Sequence, residues 1–245
     1  MNAAFFGAVR AARGLGHNGT LSQSQVDGFN TVIATCAAEG FISAEAAYVL
    51  ATAWWETART MQPISEMGGN AYFTRMYDVT GSRPDLARRM GNTRAGDGIK
   101  YRGRGYVQLT WRVNYERAGR ELGVDLVSNP DRAMEPAIAA RIMADGMREG
   151  WFTGKKLRDY IKPGSSPNFI GARRIINGTD KDDEIAAIAR LFLQALEASG
   201  YVRAPVKPAP LPPRMPPDVE PIEPKPVGFW GLLLSFILAI FKRKP

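Results

Sequence analysis

The stretch Ser43-Ala44-Glu45-Ala46-Ala47-Tyr48-Val49-Leu50-Ala51-Thr52-Ala53-Trp54-Trp55-Glu56-Thr57 decides how this chain is read. Ala46, Val49, Leu50, Ala53 and Trp54 recur at helical spacing. They predict a helix capped by Ser43, running to about Arg59 and stopped by Pro63. Its inner face is apolar, yet the run ends on a carboxylate: Glu56 shares a face with Val49, Thr52 and Ala53. Burial and the negative end of the helix dipole both disfavour an anion there. The expectation is a carboxyl that keeps its proton near neutral pH, as a general acid needs. The ordinary alternative is a structural glutamate paired with Arg59 on the next turn.

Downstream, Tyr101-Arg102-Gly103-Arg104-Gly105-Tyr106-Val107-Gln108-Leu109-Thr110 reads as a glycine-opened strand. Alternation from Arg104 puts Tyr106, Gln108 and Thr110 on one face and Val107 and Leu109 on the other. Gly103 and Gly105 admit a tight turn or a close-lying ligand. Between the two runs the chain turns at Pro63 and brings Glu66 back towards Glu56. An inverting glycosidase needs a second carboxylate roughly 6.5–9.5 Å from its acid to activate water, and Glu66 is placed for that role. Asp78, Asp85 and Asp97 are its rivals.

These runs together resemble the signature of family 19 glycoside hydrolases, which holds plant chitinases and many phage endolysins. The resemblance covers about residues 20 to 200. It implies a lysozyme-like, two-lobed helical fold, with Glu56 as acid and Glu66 as base. It also implies that the Thr110 hydroxyl helps hold the attacking water and that Gln108 and Asn114 bind sugar. Ile175-Ile176-Asn177-Gly178 is similar to a further family motif whose Asn, here Asn177, binds substrate. Tyr106 lies on the same face and joins the substrate-binding set. Two positions depart from the pattern. Trp55 stands where the family usually carries His, and Val113 where plant chitinases often show an aromatic residue.

The rest of the main segment reads as helix. Ser22 or Ser24 caps a helix through about Ala38, with Val26, Phe29, Ile33 and Ala37 at helical spacing, and Gly40 ends it. Further helices are expected over Pro84 to Met90, Trp111 to Leu122, Pro136 to Glu149, Leu157 to Ile161, Asn168 to Ile176 and Asp182 to Ser199. The last opens on Asp182, Asp183 and Glu184, where the dipole favours acids. The expected class is mainly α with a very small β element. Trp54, Trp111 and Trp151 are read as core before sugar platforms, and Cys36 as a buried hydrophobe.

Composition narrows the chemistry. With one Cys and one His (His17, in a Gly-rich stretch), no intramolecular disulfide and none of the usual zinc sites can form, and Ser-His-Asp chemistry is disfavoured. No cofactor is called for. The net charge of +8 favours polyanions, including the bacterial envelope. No zinc finger, trusted helix-turn-helix or ribonucleoprotein motif argues for nucleic acid, and Arg88-Arg89 and Arg173-Arg174 read as solvated clusters.

Three segments are expected: a catalytic domain over 1–203, a linker over 204–227 and a hydrophobic helix over 228–245. Ten of the 17 prolines fall in the linker, which disfavours a core and favours an extended spacer. The uncharged run 228–241 precedes Lys242-Arg243-Lys244. As a helix, residues 227–241 would reach about 22 Å, a short membrane span with its basic end cytoplasmic and the enzyme outside. Residues 1–16, with Arg10 and Arg13, make a poor signal peptide. The expected location is the periplasmic face of a bacterial inner membrane, or the host cytoplasm before release.

The interval from Glu56 to Glu66 resembles that of the phage-type family members, and with the charge and tail it implies an endolysin cutting β-1,4 bonds in peptidoglycan by acid–base catalysis. The alternative is a chitinase, and a second alternative is a non-catalytic, membrane-anchored glycan-binding protein.

Overall fold

A computed structural model describes residues 2–15 and 19–204. His17, the proline-rich linker beyond Ala204 and the apolar 228–241 segment lie outside the described residues. Among those described, no helix is long and apolar enough to cross a membrane.

The main lobe is built on two apolar helices, α3 (Ser43–Glu56) and α11 (Asp182–Ala198), which pack against each other. Ile185, Ile188, Ala189, Phe192 and Leu196 of α11 are buried, the face that its periodicity marks. Helix α2 (Gln23–Ala38) packs on α3 and reaches α11 through Phe29, which stacks on Trp54 at 5.6 Å and meets Phe192 edge-on at 5.4 Å. Trp54 has no exposed surface and its indole N–H donates to the Leu15 carbonyl, so it is core. Burying an aromatic or branched side chain of this kind contributes about 1.5–3 kcal/mol. Ser22 caps α2, with Gln25 returning the bond to the Ser22 N–H.

Helix α3 differs from expectation at both ends. Ser43 is its first helical residue. Ile42 precedes it, and the Glu45 carboxylate takes the Ile42 N–H. At the other end the helix stops at Glu56, three residues early. Thr57 Oγ1 donates to the Ala53 carbonyl, and Ala58 and Arg59 then turn into left-handed conformation.

Helix α1 (Ala3–Ala11), which the apolar pattern did not announce, seats Phe5, Phe6 and Val9 in the core beside α11. Its Asn2 side chain both caps α1 and donates to the Ser199 carbonyl. The main lobe is completed by α8 (Pro136–Glu149), α9 (Leu157–Tyr160) and α10 (Phe169–Ala172). Helix α10 is followed by a short 3₁₀ turn, Arg173–Ile175, where one continuous helix was expected.

A smaller lobe holds α5 (Pro84–Arg89) and two helices absent from the expectation, α4 (Asn70–Tyr77) and α6 (Asp97–Lys100). Its buried residues Phe73, Tyr77 and Ala87 stand apart from the main core. Two two-residue strands join the lobes: β1 (Ile64–Ser65) pairs antiparallel with β2 (Arg104–Gly105). The run after β2 is a correction. The expected strand to Thr110 is a tight reversal, closed by the Arg104 and Leu109 backbone groups bonding each other and by a left-handed Gln108. Helix α7 (Arg112–Leu122) follows directly.

Candidate active site

Glu56 is 4% exposed at the end of α3, on the inner face as expected. Its partner is not Arg59. Arg173 Nη1 donates to Glu56 Oε1 at 2.6 Å, and the Arg173 side chain is itself 1% exposed. Arg173 Nε donates to the Asp180 carbonyl, which fixes the guanidinium plane. This corrects the view of Arg173-Arg174 as a solvated cluster: only Arg174 faces water. The signal for Arg173 was its place between Ala172 and Ile175 in an apolar run, four residues before Asn177.

Glu66 follows β1 and is 6% exposed. Its backbone N–H donates to the Gly103 carbonyl at 2.8 Å. Its carboxylate accepts from Tyr77 Oη at 2.6 Å on one oxygen and from the Gly103 N–H at 2.9 Å on the other. Burial pushes the Glu66 carboxyl above its ordinary value. The bonds from Tyr77, Gly103 and Tyr72, and the Arg102 charge, oppose that push without cancelling it. A carboxylate made more basic in this way, and still held by donors, suits a general base.

The rival carboxylates are engaged elsewhere. Asp78 accepts from Thr80 N and Oγ1 and from the Gly96 and Gly98 N–H groups, tying the small lobe's loops together. Burial works against its anion, but those bonds outweigh it and hold the carboxyl below the usual range. Asp97 accepts from the Thr93 and Arg94 N–H groups. Asp85 is an exposed partner of Arg88.

The Arg104–Thr110 reversal sets Gln108 and Glu66 on either side of Gly103. Gln108 Nε2 donates to the Ile64 and Gly105 carbonyls, so the side chain lies across the two strands. Gly103 explains itself here. A Cβ on it would sit 2.9 Å from Gln108 Oε1 and 3.1 Å from Glu66 Oε2, so only hydrogen fits between the amide and the base. Thr110 Oγ1 donates to the Gln108 carbonyl, which leaves its lone pairs to accept from a water molecule. Asn114, in the first turn of α7, donates to the Thr110 carbonyl. Tyr106 is placed differently from the expectation of a sugar-facing ring. It has no exposed surface and its hydroxyl donates to the Met61 carbonyl, bracing the loop after α3. Asn177 is half-buried and its Oδ1 accepts from the Gly178 N–H.

Four buried polar side-chain atoms have no hydrogen-bond partner among the described residues: Trp55 Nε1, Gln108 Oε1, Arg173 Nη2 and Asn177 Nδ2. An unsatisfied buried group costs about 1–3 kcal/mol. They belong to Trp55 beside Glu56, to the Glu56 ion-pair partner Arg173, and to Gln108 and Asn177.

The family model for glycoside hydrolase family 19, chitinase class I, matches residues 23–154. This chain belongs to that family. The match takes in Glu56, Glu66, Gln108, Thr110 and Asn114 and ends before Arg173 and Asn177. An endochitinase of Arabidopsis thaliana is 37% identical over 82 residues, 33% of this chain and 26% of the relative. Endochitinase 1 of Theobroma cacao is 54% identical over 43 residues, 17% of this chain and 13% of the relative. An inactive chitinase-like protein 1 of Hevea brasiliensis is 56% identical over 34 residues, 14% of this chain and 11% of that protein. The matched stretch thus spans at most about a quarter of these relatives' length. Among solved structures, chitinase C of Streptomyces griseus is 18% identical with a TM-score of 0.48, covering 84% of this chain and 80% of that one.

Proposed function

We propose that this chain hydrolyses β-1,4 bonds in a glycan of N-acetylated amino sugars by general acid–base catalysis. Glu56 protonates the leaving oxygen from the form that carries its proton, in which Arg173 still donates to the carbonyl oxygen, and Glu66 takes a proton from an attacking water that Thr110 helps to hold. The observation that carries this reading is a pair of buried carboxylates in contrasted settings. One is paired with a guanidinium. The other has its basicity raised by burial and is steered by a phenol and a backbone N–H. A binding module has no use for two such acids. With water entering opposite the leaving group, inversion at the anomeric carbon is the stereochemical outcome. Gln108, Asn114 and Asn177 supply contacts to the sugar, through polar groups held beside the site.

Chitin is the substrate class that the relatives' names support. A second reading, peptidoglycan, is favoured by the net charge of +8, which would hold the enzyme to an anionic envelope. In that reading residues 228–241 attach the enzyme to a membrane, and residues 204–227 act as its spacer.

The test is a digest of chitohexaose and of purified peptidoglycan by wild type, Glu56→Gln and Glu66→Gln, with products read by mass spectrometry. Wild type should release fragments with new reducing N-acetyl sugars, and both variants should be silent. Cleavage of chitohexaose alone favours the chitinase, and cleavage of peptidoglycan alone the endolysin. Equal cleavage by wild type and Glu56→Gln would defeat the acid assignment. For the tail, fractionation of the full chain against one ending at Ala204 reads membrane association, and equal solubility of the two would reject the anchor.

A further inference from the structure

One buried ionisable residue of the smaller lobe reaches Glu66, the residue read as base. Tyr77 closes α4, is 1% exposed, and places its hydroxyl 2.6 Å from Glu66 Oε1. Its own carbonyl accepts from Asn92 Nδ2 at 2.9 Å, and Asn92 Oδ1 accepts from the Arg112 N–H at 3.0 Å, the start of α7. Its ring also meets Trp111 edge-on at 5.0 Å. A single residue therefore touches the base and the segment that carries Thr110 and Asn114.

We propose that Tyr77 is the positioning residue of the base, fixing Glu66 Oε1 by a charge-assisted hydrogen bond and biasing the carboxyl towards its ionised form. This rests on the reading of Glu66 as base. The groups facing Glu66 are few. Tyr77 and Tyr72 come from α4, the Gly103 N–H comes from the turn into β2, Arg102 contributes its charge, and Gln108 Oε1 lies alongside. Burial, and then the charge of Glu66, pushes the Tyr77 phenol far up, so it stays a donor wherever the carboxylate is ionised. With bonds from Tyr77, Tyr72 and the Gly103 N–H shared over its two oxygens, Glu66 keeps a lone-pair site for water. Removing the phenol hydrogen bond leaves burial in place, so the carboxyl must become harder to ionise.

The test compares wild type with Tyr77→Phe in two measurements on the full chain. One is the pH profile of kcat/KM on whichever of chitohexaose and peptidoglycan the wild type cleaves. The other is the titration of the Glu66 carboxyl carbon by NMR, identified by its loss in Glu66→Gln. In Tyr77→Phe, both the acid limb and the titration should move to higher pH. A residue that merely fills the core would lower Tm and scale activity evenly at every pH. Should the Phe variant fail to fold, 3-fluorotyrosine at position 77 keeps the shape and strengthens the donor, and both readouts should move to lower pH. Unmoved profiles and titrations in these variants would overturn the proposal. Full activity in Glu66→Gln would instead overturn the base assignment beneath it.

Discussion

Arg173 Nη1 and Glu56 Oε1 form a buried ion pair at 2.6 Å that ties the end of α3 to the turn after α10. Removing one member of such a pair strands the other charge in a low-dielectric site, at a cost of about 3–5 kcal/mol. Arg173→Met is therefore expected to destabilise the fold by that amount in denaturant unfolding and to abolish hydrolysis. The double variant Arg173→Met with Glu56→Gln removes both charges and should recover part of the stability but none of the activity. Additive losses in the double variant would show that the two groups are not coupled.

The base sets a second expectation, on pH. Burial raises the Glu66 carboxyl, and a general base works only when ionised. The acid limb of kcat/KM should then lie above the range of an ordinary glutamate, with activity falling as pH drops through it. Adding salt should leave that limb in place, because burial rather than a surface charge is its chief cause. A limb at or below the ordinary glutamate range would contradict the environment seen around Glu66.

Much of this arrangement was legible in the sequence, and the exceptions have physical reasons. Helices α2, α8 and α11 announced themselves by apolar periodicity and by Ser22, Pro136 and the acidic first turn of α11. Glu56 and Glu66 were legible as carboxylates ending an apolar helix and a Pro-turned loop. Helix α4 was not, because no side chain caps it and only Phe73 and Tyr77 are buried on it. Arg173 escaped because its partner lies 117 residues away, a pairing that no local pattern encodes. The run to Thr110 misled because alternation reports apolar spacing. The reversal there depends on Gln108 adopting φ of 53°, which a residue other than glycine rarely signals.

Gly103 offers a probe that leaves every functional group in place. Its missing Cβ is replaced in space by Gln108 Oε1 and Glu66 Oε2. Gly103→Ala should push those two tips apart at a modest cost in stability, while the base loses its alignment with water. Activity is expected to fall severalfold, because the tips must give by a few tenths of an ångström, less than the roughly 1 Å misplacement that costs about a hundredfold. Thermal unfolding read beside kcat separates the two effects. A variant as active as wild type would mean that Gln108 and Glu66 can shift without consequence.

The loop that carries the chain from Glu56 to Glu66 stores strain. Ala58, Arg59 and Met61 have φ of 49°, 69° and 55°, each in the left-handed region. That conformation costs a non-glycine residue about 1–2 kcal/mol. Gln25 and Gln62 hold the loop to the start of α2 through the Arg59 and Ser24 carbonyls, and Gly28 lets the Met61 carbonyl lie against α2. Arg59→Gly relieves the strain and offsets it with chain entropy, so a net gain of about 0.5–1 kcal/mol is expected in denaturant unfolding. Gly28→Ala should do the reverse. A Cβ there would lie 1.9 Å from the Met61 carbonyl oxygen, a backbone atom that cannot yield without moving the loop. Severe destabilisation is expected, with hydrolysis lost as Glu66 shifts away from Glu56. A stable, active Gly28→Ala would show that the loop reaches its geometry without support from α2.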